Sequence, residues 1–218
     1  MGGKYVVYGA LGSGSVPVEA AMTLMGLDHE VIEGATWTHD AEVLARVEKV
    51  NPLKQIPAVV TPEGETLTES AAILVWLAEA YPEARMGPPV GDPRRARFLR
   101  WMTFIPASIY SLYWIRDEPT RLVPPELAAE VKARTAERIA ECWAIMEGQL
   151  APEGPYLLGE ELTVLDLYVT VVSRWGPRRR RFYEVAPRMS EVVRRVDADP
   201  RLSAFWAARF PFVEGWEG

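Results

Sequence analysis

Residues 51–60 read NPLKQIPAVV and are followed, after the rest of a predicted hairpin, by ESAAI (residues 69–73). Pro57 stands just before an apolar run, and because proline cannot donate a ladder hydrogen bond it suits the start or the edge of a strand. If the Ile56–Pro57 bond is cis, the chain turns sharply and the N–H and C=O of Ile56 face outward. Glu69 and Ser70 open the next predicted helix, where free N–H groups and the helix dipole attract anions. Together they predict a peptide-binding site, with a main-chain clamp and a pocket that can hold the charged ends of an amino acid.

The residues on either side of this stretch predict a sheet with helices packed on it. An apolar run at 5–8 is ended by a glycine-rich turn at 9–14, and the helical pattern that follows closes at Gly26, a natural C-terminal stop. A half-buried strand, a helix, a hairpin and a further helix come next, with predicted ranges 29–33, 40–50, 58–68 and 69–81. This alternation is typical of an α/β domain.

The second half of the chain predicts helices only. Residues 82–92 hold three prolines and two glycines, which is the composition of a linker. Beyond them, apolar residues between Leu127 and Leu150 fall three and four positions apart, as on the inner face of a bundled helix. We therefore predict an α/β domain at 1–82, a linker at 83–92 and an all-helical domain at 93–218.

Composition and charge exclude several classes of protein. Of the 218 residues 49% are hydrophobic, which is enough for a sizeable core. The net charge of −6 argues against nucleic acid or an anionic membrane as the main partner, and no apolar run reaches the roughly 18 residues of a membrane span. Cys142 is the only cysteine, so an internal disulfide is impossible and a cytoplasmic protein is expected. No metal is expected, because histidine has no cysteine or acidic companions at ligand spacing.

Three segments, taken in order, carry a family resemblance: NPLKQIPAVV at 51–60, LTESAAILVWLAEAYP at 67–82 and LLGEELTVLDLYV at 157–169. In these segments the chain resembles the cytosolic glutathione S-transferases, and the match extends over nearly all of its length. The resemblance implies a thioredoxin-like α/β N-terminal domain followed by an all-α helical bundle. It also implies a homodimeric detoxification enzyme that needs no cofactor beyond glutathione as co-substrate and conjugates the glutathione thiolate to hydrophobic electrophiles.

The third segment contains a predicted capping box. Thr163 can cap the helix that follows, while Asp166, three residues on, reaches back to the Thr163 N–H. Loss of such a cap lowers the folding stability by about 0.5–2 kcal/mol. We therefore expect this motif to contribute to folding and not to catalysis.

A transferase of this kind must ionise a thiol, and three hydroxyls compete for that role. A free thiol has a pKa of about 8.5, and lowering it by about two units requires roughly 2.7 kcal/mol. A hydroxyl that donates to the sulfur near a helix N-terminus can supply that energy. Ser13 lies in the turn near where serine-type members carry their activating hydroxyl, and Ser15 lies where it can also cap the helix. Tyr8 lies where tyrosine-type members place theirs, although their following arginine-glycine motif is absent, and the choice stays open.

Sulfur chemistry by the protein itself is not expected. No cysteine lies in this turn, which argues against thiol–disulfide exchange. Cys142 sits on the apolar face of a predicted bundle helix and is expected to be an inert core thiol.

The resemblance assigns other polar groups to the binding of glutathione. Ser70 and its N–H would donate to the carboxylate of the γ-glutamyl end, and Glu69 would pair with the ammonium. Ile56 would exchange backbone hydrogen bonds with the cysteinyl part, as an added strand does. Lys54 or Gln55 would reach the glycyl carboxylate; the alternative is that both are solvated loop residues.

The second substrate is expected to bind beside the first helices of the bundle, where aromatic residues surround Pro106. The predicted lining residues are Phe104, Ser108, Tyr110, Ser111 and Trp114. Two alternatives to a transferase remain. One is a non-catalytic interaction or regulatory protein of the same fold, and the other is a glutathione-dependent isomerase, dehalogenase or ether-cleaving lyase.

Overall fold

The chain divides into two compact units in the computed structural model, which describes residues 3–150 and 154–218. The first unit contains Met1–Pro89 and Asp197–Phe212, and the second contains Val90–Val196 and Val213–Gly218. Sequence reasoning assigned 93–218 to a single helical domain, whereas the structure includes Asp197–Phe212 in the first unit.

The first unit is built on a sheet that has four strands within the described residues. They are β1 (Tyr5–Gly9), β2 (His29–Glu33), β3 (Ala58–Val60) and β4 (Thr66–Thr68). The order is β2-β1-β3-β4, with β1 parallel to β2 and the other neighbouring pairs antiparallel. The helices of this unit's N-terminal part are α1 (Val16–Met25), α2 (Ala41–Glu48) and α3 (Ser70–Ala80). Helices α1 and α3 contact each other, and their apolar faces are fully buried at Met22, Leu74 and Leu77.

The second unit is helical. Its helices are α4 (Arg95–Phe104), α5 (Ser111–Asp117), α6 (Ala128–Leu150), α7 (Val164–Val172), α8 (Arg179–Val185) and α9 (Pro187–Asp197). A π-helical segment, Ile105–Tyr110, joins α4 to α5. Pro106 lies in that segment and has no N–H to give to a regular helical ladder, which is a physical reason for the irregularity.

The last helix, α10 (Ser203–Arg209), contacts α1 and so completes the first unit. Leu202 and Trp206 are buried, and this burial of apolar surface holds the segment in place. The expected fold class, a thioredoxin-like α/β domain followed by an all-α helical bundle, is confirmed. No helix among the described residues is both long and apolar enough to span a membrane.

The predicted capping box is present at the start of α7. The buried carboxylate of Asp166 accepts the Thr163 N–H at 2.7 Å and the Thr163 hydroxyl at 2.7 Å. Its other oxygen accepts the N–H of Leu157 at 2.8 Å. One side chain therefore joins the loop before α7 to the first turn of that helix.

Replacement of Asp166 by asparagine is expected to remove a pH-dependent part of the stability. Burial raises the pKa of this carboxyl from 3.8 to about 6, against the opposing effect of its hydrogen bonds. The folded state then binds the proton more tightly than the unfolded chain, so this contribution is greatest below about pH 4 and is lost as the pH rises through about 6. At 1.36 kcal/mol per unit the loss is about 3 kcal/mol.

Urea unfolding of the wild type and Asp166→Asn across this pH range measures the effect. The stability of the wild type should fall relative to that of the variant between about pH 4 and pH 7. A difference that stays constant over this range would contradict the assignment of the raised pKa to Asp166.

Candidate functional site

The register of the sheet brings the segments that carry the predicted glutathione-binding residues to one end of the sheet. Tyr8 near the end of β1 pairs with Ala58 at the start of β3, and Ala58 pairs with Thr68 at the end of β4. The turn after β1, the Ile56–Pro57 bond before β3 and the start of α3 after β4 therefore lie at the same end of the sheet.

The loop before β3 is held by Asn51. Its side-chain amide donates to the Gln55 carbonyl at 2.9 Å and its Oδ1 accepts the Leu53 N–H at 3.1 Å. The Ile56–Pro57 peptide bond is cis. Lys54 has a left-handed backbone, with φ of 55°, and its ammonium lies 3.3 Å from the Glu48 carboxylate. Both of these side chains are about half exposed, and such ion pairs contribute little free energy. Lys54 can therefore leave Glu48 and contact a ligand at little cost in free energy.

Glu69 and Ser70 occupy the start of α3 as predicted. Glu69 is exposed, and its φ of 64° and ψ of 102° are unusual for a residue with a side chain. Such backbone strain costs about 1–3 kcal/mol and is found most often at functional sites. The Glu69 side chain makes no capping hydrogen bond, so helix capping does not explain this unusual backbone conformation. Ser70 is buried beside it.

The two serines of the turn between β1 and α1 make different hydrogen bonds. Ser13 Oγ accepts the N–H groups of Ala10 and Ser15, each at 3.2 Å, and 8% of this residue is exposed. Ser15 is fully buried, and its hydroxyl donates to Glu19 Oε1 at 2.6 Å. The expected capping role of Ser15 is not seen: it stands at the N-cap position of α1, but its side chain makes no capping bond.

The contact between the two serine hydroxyls has a defined direction. Their oxygens lie 2.9 Å apart. Because Ser15 gives its single proton to Glu19, its oxygen can only accept from Ser13. Ser13 therefore donates to Ser15 in this structure, and its proton is the one of the pair that can be turned from that bond toward a ligand. Tyr8, the third candidate, lies half-buried within β1 rather than in the turn.

Glu19 and Arg209 contact this turn from helices α1 and α10, and the sequence analysis predicted neither contact. Glu19 lies in the first turn of α1 with no exposed surface, and Arg209 ends α10. The Arg209 guanidinium contacts Glu19 Oε2 through Nε at 2.5 Å. A carboxylate on an otherwise apolar helix face was the only local signal, because a buried charge requires a partner.

The residues predicted to line the second-substrate pocket lie on one segment of the second unit. The Tyr110 ring packs edge-on against Trp175, with centroids 5.0 Å apart. Ser111 donates to the Ala107 carbonyl at 2.9 Å, and Ser108 accepts from the Cys142 thiol at 3.5 Å through its carbonyl. The remaining two are Phe104, edge-on to Trp101, and Trp114, which is exposed beneath the Arg121 guanidinium. Their role as a pocket stays a prediction.

Cys142 is buried, and burial raises the pKa of its thiol. A protonated thiol is a poor nucleophile, which agrees with the expectation of an inert core residue. Among residues 3–150 and 154–218 no group of three or more His, Cys, Asp and Glu side chains is arranged to hold a metal ion.

The chain matches two family models and several named relatives. A family model described as glutathione S-transferase, N-terminal domain, matches residues 15–80, and one described as glutathione S-transferase, C-terminal domain, matches residues 124–209. The chain is 29% identical to the uncharacterized GST-like protein YncG of Escherichia coli K12, covering 90% of this chain and 94% of that protein. It is 32% identical to maleylacetoacetate isomerase of Rattus norvegicus, with coverages of 76% and 74%.

One solved structure shows the shared fold. A glutathione transferase homologue from Sulfitobacter, solved with bound glutathione, aligns with a TM-score of 0.79 at 22% identity. The alignment covers 93% of this chain and 96% of that chain.

Proposed function

Because the chain belongs to the glutathione S-transferase family, we propose that it binds reduced glutathione and transfers the thiolate sulfur to a hydrophobic electrophile. One observation carries the proposal. The sheet register places a hydroxyl-bearing turn, an Ile-Pro strand start and a Glu-Ser helix start at one edge, where a single tripeptide can touch all three. We also propose that the protein is cytoplasmic, since Cys142 is a free thiol. The family resemblance further implies a homodimer that acts in detoxification.

Glutathione lies along this edge with its γ-glutamyl end at α3. The Ser70 hydroxyl and N–H donate to the carboxylate, where the positive end of the helix dipole adds attraction. The exposed carboxylate of Glu69 pairs with the ammonium. Ile56 exchanges backbone hydrogen bonds with the cysteinyl residue, and Lys54 or Gln55 contacts the glycyl carboxylate.

Ser13 ionises the thiol by stabilising its conjugate base. The thiol proton leaves to solvent, and the Ser13 O–H donates to the sulfur anion, giving a charge-assisted hydrogen bond. Two backbone N–H groups hold the Ser13 oxygen in place, so only its O–H has to rotate from Ser15 toward the sulfur when glutathione arrives. The thiolate sulfur then forms a bond to the electrophilic atom, which gives up its leaving group or the π electrons of its double bond.

Calorimetric titration of reduced glutathione into the wild type, Glu69→Gln and Ser70→Ala tests the binding site. Loss of a hydrogen bond to a charged group costs about 1.5–3 kcal/mol, so Kd should rise by roughly ten- to a hundredfold in each variant. Glu63→Gln is a matched control, because Glu63 is an exposed carboxylate in the β3–β4 turn. No binding by the folded wild type would overturn the proposal and favour the non-catalytic alternative.

A glutathione-dependent isomerase is the second candidate, because the chain is 32% identical to a maleylacetoacetate isomerase. The two activities differ in the fate of glutathione, which a transferase consumes and an isomerase returns unchanged. Measuring free thiol during turnover of each substrate class separates them.

A further inference from the structure

Arg209, at the end of α10, contacts residues that precede and residues that follow Ser13 in the chain. On one side, the Arg209 carbonyl accepts the N–H of Gly12 at 3.0 Å. On the other side, the Arg209 guanidinium contacts Glu19 Oε2 at 2.5 Å and Oε1 at 3.3 Å. A single residue far along the chain therefore holds the residue before Ser13 directly and the residues after it through Glu19.

The second attachment reaches Ser13 through a short chain of contacts. Glu19 accepts the Ser15 hydroxyl at 2.6 Å, and the Ser15 N–H donates to Ser13 Oγ at 3.2 Å. Glu19 and Ser15 are fully buried, so water does not compete for these bonds. The position of Ser13 Oγ thus depends on where Arg209 holds Glu19.

Arg209 is itself fixed from outside the turn. Its Nη1 donates to Glu33 Oε1 at 2.8 Å, at the end of β2, and only 17% of the Arg209 side chain is exposed. A planar guanidinium bound at three of its donors has little freedom to rotate. The same guanidinium therefore pairs with the carboxylates of both Glu19 and Glu33.

We propose that Arg209 is a positioning residue for thiol activation: by bracketing Ser13 through Gly12 and Glu19, it holds the Ser13 hydroxyl where it can donate to the glutathione sulfur. The inference rests on the proposed function. Misplacement of a catalytic group by about 1 Å can cost roughly a hundredfold in rate, so a residue that touches no substrate can still control turnover.

The test compares Arg209→Lys with Arg46→Lys. Lysine keeps the cation beside the buried Glu19 but cannot contact Glu19 and Glu33 with a rigid fork. Arg46 is a matched control, because its exposed guanidinium donates to the Glu33 carbonyl at 3.2 Å without touching the turn. Arg209→Gln is a stronger second variant, with its folding checked by circular dichroism.

The decisive readout is the pKa of the thiol in bound glutathione, followed by the ultraviolet absorbance of the thiolate as the pH is varied. In Arg209→Lys we expect it to rise by about one unit, so that kcat toward chlorodinitrobenzene falls about tenfold at slightly acid pH. The calorimetric Kd for glutathione should stay within about threefold of wild type. Arg46→Lys should leave all three quantities unchanged.

Other outcomes separate the possible failures. If Arg209→Lys weakens glutathione binding or lowers the melting temperature but leaves the bound-thiol pKa unchanged, Arg209 is merely structural and the inference is wrong. If the folded wild type binds no glutathione, the proposed function falls and the inference falls with it.

Discussion

The Ser13→Ala variant is expected to bind glutathione almost as tightly as the wild type and to turn it over about a hundredfold more slowly. The variant loses the only hydroxyl of the turn whose proton is not committed to Glu19. Without that donor the bound thiol should return toward its free pKa of about 8.5, which removes roughly 2.7 kcal/mol of thiolate stabilisation. Steady-state kinetics at slightly acid pH, together with thiolate absorbance of the binary complex, measure both effects.

Two companion variants decide among the hydroxyls that the sequence left open. Tyr8→Phe should keep most of the activity, because the arginine-glycine motif that follows the tyrosine in tyrosine-type members is absent here. Ser15→Ala should chiefly lose stability, by about 1–3 kcal/mol, because it removes a buried donor from the Glu19 carboxylate. A hundredfold loss in Tyr8→Phe with normal turnover in Ser13→Ala would assign activation to the tyrosine instead.

The Gly9→Ala variant is expected to lose about 3 kcal/mol of folding stability, with disruption of the turn that carries Ser13. A Cβ at this position would lie 2.3 Å from Ser15 Oγ and 2.5 Å from Ser15 Cβ. Neither neighbour can retreat easily, because Ser15 is fully buried and bonded to Glu19. Urea unfolding of the wild type and the variant measures the change.

Gly148→Ala is the matched control for this substitution. Gly148 lies inside α6, and a Cβ added there would meet nothing within 4 Å. Alanine is the better helix former, so this variant should gain about 0.5–1 kcal/mol. Equal stability of Gly9→Ala and the wild type would show that the turn can shift to admit a methyl group, which would weaken the case for a rigid Ser13.

Much of the candidate site could be predicted because its signals are local. Pro57 marked the start of β3 and Glu69-Ser70 marked the start of α3, since proline and helix-start residues act through their own backbone groups. Gly26 ended α1 with a left-handed φ of 68°, as its lack of a side chain allows. Alternation and helical spacing were enough to predict an α/β domain followed by helices, and the family resemblance implied the thioredoxin-like arrangement.

The partners of Ser15 could not be predicted in the same way. A serine at a helix start is normally read as a cap, and nothing nearby in the sequence shows that its hydroxyl turns inward to Glu19. Glu19 itself resembles an ordinary first-turn acid, which the helix dipole would favour on the surface. Only its complete burial shows that it serves another purpose.

Local patterns in the sequence predicted the strands and helices of the α/β domain and a helix between Leu127 and Leu150, because propensity, capping and periodicity act over a few residues. The family resemblance indicated which segments could form a glutathione site. Only the tertiary structure decided that α10 joins the first unit and that Arg209 pairs with Glu19, 190 positions earlier in the chain. An apolar or charged pattern shows that a face must be covered or a charge paired, but it does not identify the partner. That partner is chosen by packing, which here brings Arg209 to Gly12 and Glu19, on either side of Ser13.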